Sequence, residues 1–310
     1  MNKGIVMEKL PITVVILTIN DESHLPELLD SIQPYVEDIF IVDSRSTDKT
    51  VDIALERGLK IVQRAFTTPP DQYSWAFKNL PIKTEWLFSL DQDERFSPSL
   101  VNELKTLFAK GIPDDVDGYT VKWRLWFMGK PLHAVTDTFR LMRTKKCHVT
   151  DVSCNEHFVV PGKVLMLKGI LEHKDVLNLH EWYEKQNLWT TLEAIGRIKD
   201  VSEDEKGKLF GTRLQRKMLF KRLFIHSIGG KFIMFLYYLF KYGAWKDGYA
   251  GWCWARLRVW VHRVGDMKER EFRQIGIPKL FPCARHGDYD RRVLDTDLQR
   301  VVNPISNSDA

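Results

Sequence analysis

The chain has 310 residues, 44% of them apolar, enough for one large α/β domain with an appendage or for two domains, and this excludes disorder throughout. Its formal charge of +5 is modest for this length, so the total does not argue for nucleic acid or a membrane and the distribution of charge matters more. The cysteines, at 147, 154, 253 and 283, form no CxxC pair and no compact Cys/His set; this sets aside a zinc ribbon and a disulfide framework and suits reduced thiols in cytoplasm.

The N-terminal segment has one short apolar run that continues into a strand pattern, and it lacks a small-residue cleavage site, so no secretion signal is expected. ITVVILT (12–18) is a β-branched run of the kind a strand shows when helices cover both its faces, and it ends at Asn20 and Asp21, which can cap the next helix. In ESHLPELLDSI, Leu25, Leu28, Leu29 and Ile32 recur at helical spacing. IFIVD (39–43) is a second buried strand, STDKTVDIALERGL a second helix that Gly58 terminates, and KIVQ a third strand. EWLFSLD (85–91) is a further strand, after which Ser97 and Pro98 cap and open a helix burying Val101, Leu104 and Phe108. This alternation predicts an α/β fold, a mostly parallel sheet wound with helices, and such sheets bind ligands beyond the carboxyl ends of their strands. Three polar clusters, 20–22, 43–48 and 91–94, fall at those ends and should converge.

From Gly118 the pattern changes. YTVKWRLWF alternates as a strand with one wetter face, VLMLKGILEH (164–173) is another strand, and HEWYEKQNLWTTLEAIGRI is helical, with Trp182, Trp189, Leu192 and Ile195 on one side. A basic, aromatic-rich region comes after residue 200, and the last residues form a loose tail. The longest apolar run, FIMFLYYLF (232–240), is about half of the ~20 residues a spanning helix needs.

Asp91, Asp93 and Glu94 close a buried strand, and carboxylates crowded this closely repel unless water or a cation sits among them. Two acids separated by one residue at the mouth of a parallel sheet suit Mg2+ or Mn2+, with phosphate oxygens and water in the remaining positions. A solvated strand end is the alternative. Three stretches in order, VVILTINDESHL, IFIVDSRSTDKT and EWLFSLDQDER, resemble the family 2 glycosyltransferases of the GT-A fold, whose motifs are T-x-N-E-E, V-D-x-x-S-x-D-x-T and D-x-D-E at the ends of successive strands. The resemblance covers residues 11 to about 110. It implies a nucleotide-sugar-binding domain in which Asp43 bonds the uracil or ribose, Thr18, Asn20 and Glu22 line the same pocket, and Asp91 with Asp93 face ribose, metal and diphosphate. The family commonly has Glu at Asp21, Gly at Arg45 and Ala at Gln92; Arg45 could itself touch a phosphate. Asp48 caps the adjoining helix as readily as it contacts a ligand.

Past residue 110 the chain resembles a bacterial subgroup, lipopolysaccharide core glucosyltransferases and related surface-glycan enzymes, through RLMR (Arg140 to Arg143), CNEHF (Glu156) and LEH (His173). The implied chemistry is transfer from a nucleoside-diphosphate donor, expected to be a UDP-sugar, to a glycan or lipid-linked acceptor with inversion. This requires neutralising the leaving diphosphate and taking a proton from the acceptor hydroxyl. Glu156 is assigned the base role, with Asp151 and Asp137 as alternatives, and Glu94 either orients Asp93 or acts on the acceptor side. His173 is the third metal ligand, or an ordinary half-buried histidine, and Arg140 and Arg143 are phosphate contacts.

Between Lys206 and Arg263 stand thirteen Lys or Arg and one acid, Asp247, interleaved with Trp, Tyr and Phe. Such a segment suits an anionic membrane interface, making the protein cytoplasmic and peripheral on the inner face of the membrane, or it packs as a helical subdomain on the catalytic domain or on a second chain in a homo-oligomer. The expected division is a catalytic domain at 1–200 (nucleotide half 11–110, acceptor half 111–200), the basic helical region at 201–275 and a tail at 276–310. Rival functions are a D-x-D phosphotransferase, disfavoured because earlier strands precede the motif, and a non-catalytic membrane or RNA adaptor, which leaves the acidic cluster without a role. Nucleic acid lacks any RNP-type or helix-turn-helix signal, and no G-x-G-x-x-G or P-loop occurs.

Overall fold

A computed structural model describes residues 9–152, 155–174, 178–199, 228–278 and 287–302. They belong to two compact units, Met1–Trp123 with Thr136–His173 and Ala284–Ala310, and Arg124–Val135 with Lys174–Cys283.

In the first unit β1 (Leu10–Thr18) lies between β2 (Val36–Asp43) and β4 (Trp86–Asp91), parallel to both, and β3 (Lys60–Gln63) continues the parallel block beside β2. β5 (Glu94–Phe96), β6 (Val116–Phe127), β7 (Lys130–Arg143) and β10 (Lys163–His173) complete an eight-stranded sheet of order β3-β2-β1-β4-β7-β6-β10-β5, with residues 124–135 of β6 and β7 counted in the second unit. β7 runs antiparallel to β4 and β5 antiparallel to β10. A separate hairpin pairs β8 (His148–Val152) with β9 (Asn155–Val159). The sheet is therefore a parallel block extended by antiparallel strands, the α/β arrangement expected, with more antiparallel character than the sequence pattern conveys.

The unbroken apolar run of β1 reflects cover on both faces. Ile12, Val14 and Ile16 pack with Leu25, Leu28 and Leu29 of α1 (Leu25–Ile32), while Val15 joins Phe40, Tyr73 and Ala76 on the other side. Tyr73 and Ala76 belong to α3 (Pro69–Asn79), a helix whose Pro-Pro opening masks its periodicity; Thr68 Oγ1 caps it, accepting from Asp71 N at 3.3 Å. α2 (Thr50–Glu56) ends as expected: Gly58 takes φ +66 and Leu59 N donates to Ala54 O at 3.0 Å, closing the last turn. α4 (Pro98–Lys110) starts at Ser97, whose Oγ accepts from Leu100 N at 3.2 Å.

Residues 287–302 are no tail. They return to the first unit and close the exposed edge at β3, a place where free backbone groups need partners. Gln63 N donates to Gln299 Oε1 at 2.7 Å, Gln299 Nε2 donates to Gln63 O at 3.1 Å, and Val293 is fully buried in the core of the first unit.

The second unit is built from α5 (Leu179–Lys199), α6 (Ile228–Phe240), α7 (Gly248–Ile275) and the segment 124–135. Its core gathers Phe127, Leu132, Trp182, Trp254, Ala255 and Val261. Arg197 and Lys231 both pair with Asp266, at 3.2 and 2.5 Å, and Lys268 Nζ donates to Asn187 O at 2.6 Å. These contacts place α5 with the C-terminal helices rather than in the 1–200 domain expected, and the short remaining helices α8 (Arg291–Leu294) and α9 (Asp297–Val302) belong to the first unit. Among the described residues no helix is long and apolar enough to cross a membrane. Residues 206–227 of the basic stretch lie outside the described residues.

Candidate active site at the strand ends

The three polar clusters meet because the register brings their strands to a common edge: Thr18 pairs with Asp43, and Leu17 pairs with Asp91. Asp43 is fully buried and accepts from four donors: Thr18 Oγ1 at 3.1 Å, Ser46 Oγ at 2.5 Å, Ser46 N at 3.0 Å and Gln63 Nε2 at 2.8 Å. Asn20, at φ +50, donates its N–H to Ser46 Oγ at 2.8 Å and accepts from Thr47 N at 2.7 Å, so its side chain knits β1 to the loop after β2. Glu22 Oε2 accepts from Lys49 N at 3.0 Å, and Asp48 accepts from Glu22 N and Thr50 N at 2.9 and 3.0 Å, opening α2. Arg45 stands at φ +60, the left-handed region that glycine occupies without strain. Its guanidinium lies 5.3 Å from the centroid of the Tyr289 ring.

The acidic turn is held by one arginine. Arg140 Nη2 donates to Asp91 Oδ2 at 2.5 Å and to Glu94 Oε1 at 2.7 Å. Tyr73 Oη donates to Asp91 Oδ1 at 3.2 Å, Trp123 Nε1 donates to Glu94 Oε1 at 2.8 Å, and Asp91 N donates to Glu94 Oε2 at 3.0 Å. Glu94 is wholly enclosed; burial raises its carboxyl, against the lowering charge of Arg140. Burial alone would pull Arg140 down, but Asp91 and Glu94 outweigh it and hold the guanidinium charged. Asp93 faces a different partner, His173, with Oδ2 and Nε2 at 3.2 Å. The imidazole packs against the Trp123 ring, centroids 4.0 Å apart, and the β5/β10 register sets His173 opposite Glu94.

Of the residues singled out from sequence, Thr18, Asn20, Glu22, Asp43, Arg45, Asp91, Asp93, Glu94, Arg140 and His173 all belong to the first unit and stand on its carboxyl-edge strands and loops. Arg143 does not join them. It pairs in register with Trp86 at the amino end of β4, its Nε donates to Val116 O at 2.9 Å, and its guanidinium covers the Trp86 ring at 4.8 Å, so it braces the sheet instead of meeting a phosphate. The side chains of Glu156 and Asp151 lie outside the described residues; their backbones are opposed in the β8/β9 hairpin. Asp137 is exposed on β7. Tyr73, Trp123 and Gln63 are the partners that sequence reasoning missed.

Asp93 and His173 offer one hard oxygen and one imidazole nitrogen on adjoining elements. Among the described residues no group of three or more His, Cys, Asp and Glu forms a metal cage. Asp91, the remaining member of the expected three-ligand set, accepts one hydrogen bond at each oxygen, from Arg140 and from Tyr73. A two-donor set still fits Mg2+ or Mn2+, ions that keep water and phosphate oxygens as most of their ligands.

The family model for glycosyl transferase family 2 matches residues 13–173, just over half the chain and spanning every residue of this cluster. The chain belongs to glycosyl transferase family 2. It is a glycosyltransferase, and its sheet is of the GT-A type. The lipopolysaccharide core biosynthesis glycosyltransferase LpsC of Rhizobium meliloti is 26% identical over 78% of this chain and 86% of that protein. An uncharacterized glycosyltransferase of Rickettsia felis is also 26% identical, over 71% of this chain and 80% of its own. Among solved structures, S. aureus TarS 1–349 in complex with UDP-GlcNAc aligns over 90% of this chain and 97% of that chain at 15% identity, TM-score 0.43. Mycobacterium tuberculosis glucosyl-3-phosphoglycerate synthase with Mn2+, UDP and glucosyl-3-phosphoglycerate aligns over 36% of this chain and 44% of that chain at 21% identity, TM-score 0.31. At these scores the ligands of neither structure transfer to this chain.

Proposed function

We propose that this family 2 glycosyltransferase moves a sugar with inversion from a UDP-linked donor to a glycan or lipid-linked acceptor in surface-polysaccharide or lipopolysaccharide synthesis. The observation that carries the reading is the division of labour at the acidic turn: Arg140 holds Asp91 and Glu94, while Asp93 turns to His173. The likeness to LpsC supports the acceptor class.

In this reading Asp93 and His173 hold a divalent cation. When bound, that ion neutralises charge growing on the leaving diphosphate. Asp43, Asn20 and Glu22 set the loops that receive the nucleotide, with Thr18, Ser46 and Gln63 fixing the Asp43 carboxylate. Glu94 is a positioning residue: its oxygens are taken by Arg140, Trp123 and the Asp91 amide, so it orients Asp91 and Arg140 and stays clear of the acceptor. Proton removal from the acceptor hydroxyl falls to a carboxylate other than Glu94, with Glu156 the first choice. Peripheral attachment to the inner face of the membrane is part of the proposal, because a lipid-linked acceptor has to be met at that surface.

Calorimetry of UDP with Mn2+ tests it. The unmodified chain is expected to release heat, Asp93→Ala to lose binding, and turnover of a UDP-sugar to fall by on the order of 10²–10³ in that variant. No heat from the unmodified chain, or full activity in Asp93→Ala, overturns the assignment.

A further inference from the structure

The second unit carries a concave face of about 690 Å3, walled by the 124–135 segment, α5, α6 and α7. That volume lies within the range of small-molecule and cofactor pockets, about 300–1,000 Å3. Its wall is aromatic and open to solvent: Phe232 is 63% exposed, Tyr249 73% and Trp252 42%, with Trp260 and Tyr183 beside them. On α7, Tyr249, Trp252, Arg256, Trp260 and Arg263 succeed one another at steps of three and four residues, so they form one stripe along the helix.

Among the described residues three cations line this face and no carboxylate does. Lys231 is neutralised by Asp266 at 2.5 Å. Arg256 and Arg263 enter no ion pair with the described residues, and the Arg256 guanidinium is held 4.4 Å over the Trp252 ring. Contiguous exposed apolar surface of this kind marks a binding site. Free phosphate has no use for the aromatic wall, and a neutral hydrocarbon has no use for two uncompensated guanidinium groups. A phosphate-bearing lipid uses both.

We propose that this face binds an anionic phospholipid, one molecule at a time, with an acyl chain against Phe232, Trp252 and Trp260 and the phosphate between Arg256 and Arg263. The site lies wholly in the second unit and is independent of the nucleotide-sugar reading. It turns a general affinity for anionic surface into a defined pocket.

The test titrates full-length protein with dioctanoyl phosphatidic acid below its micelle concentration, with dioctanoyl phosphatidylcholine and inorganic phosphate as parallel arms. Saturable binding of phosphatidic acid is expected, weakened about fivefold by Arg256→Gln and again by Arg263→Gln, since one cation near a lipid phosphate is worth about that factor. Brominated acyl chains should quench tryptophan fluorescence, and Trp252→Phe with Trp260→Phe should remove most of the quenching. UDP and Mn2+ calorimetry should be unchanged in all four variants, which separates this outcome from failure of the nucleotide site. Absence of phosphatidic acid binding, equal affinity for phosphatidylcholine, full competition by inorganic phosphate, or variants with unchanged affinity would each overturn the proposal.

Discussion

The two units treat charge in opposite ways. At the strand ends of the first, Asp43, Glu94 and Arg140 are buried and each meets a defined partner: Asp43 accepts from four donors, and Arg140 bridges two acids. On the aromatic face of the second, Arg256 and Arg263 stand exposed, Arg256 over a tryptophan ring, with no carboxylate among the described residues lining the wall. A buried charge must be satisfied within the protein or it destabilises the fold, so the first arrangement is preorganised and nearly fixed. An exposed cation has no such requirement, so the second arrangement is free to be completed by a ligand.

The largest way to break this contrast is to remove Arg140. Arg140→Ala leaves Glu94 enclosed without its positive partner, and losing one member of a buried pair costs about 3–5 kcal/mol. Urea midpoints should show this loss, and it should shrink as the pH falls, because a carboxyl already raised by burial takes up a proton and sheds its charge. The double variant Arg140→Met, Glu94→Gln should be more stable than Arg140→Ala. A single variant as stable as the unmodified chain would show that the pair does not hold the turn together.

Asp21 sharpens the contrast with a smaller effect. Burial pushes its carboxyl up to about 6, against the lowering influence of His24 and Arg95. Below about pH 4 the acid is protonated in both the folded and the unfolded chain and carries no penalty. Between about pH 4 and 6 the unfolded chain ionises first, so stability falls as pH rises, by about 3 kcal/mol in all. Asp21→Asn should therefore gain on the unmodified chain between about pH 4 and pH 7, read from denaturation midpoints at the two ends. A flat difference would place Asp21 in a less confined setting. Gln63→Ala is smaller again: it withdraws one of four donors from Asp43, worth about 1–3 kcal/mol at a buried carboxylate, and should raise KM for the proposed nucleotide-sugar donor more than it lowers kcat.

Much of the first unit was legible because its signals are local. β-branched runs marked β1 and β2 and an apolar run marked β4, and the polar residues ending them were bound to meet once the strands were parallel. What stayed hidden is non-local. Trp123 reaches Glu94 from 29 residues away, and Gln63 is joined to Gln299 across 236, separations at which no periodicity reports. The resemblance also misled where strand geometry was not applied to it. Arg140 and Arg143 are three apart on β7, so their side chains leave opposite faces, and only Arg140 can reach the acids. In the second unit the apolar spacing revealed helices, but it did not reveal that α5 and α7 are joined by the Arg197–Asp266 pair.

The smallest effect comes from the exposed face. Arg263→Ala removes a charge that enters no ion pair with described residues and covers no core, so it should change unfolding stability by less than about 0.5 kcal/mol. Its consequence belongs to ligand binding alone, whereas a comparable change at Arg140 appears first in stability. If Arg263→Ala instead destabilised the chain as Arg140→Ala does, the cation would be holding the helices together, and the contrast between a satisfied site and an open one would fail on the second side. If it left stability untouched while weakening lipid binding, the same kind of residue would be shown to serve two physical ends, set by whether its partner is already folded into the protein.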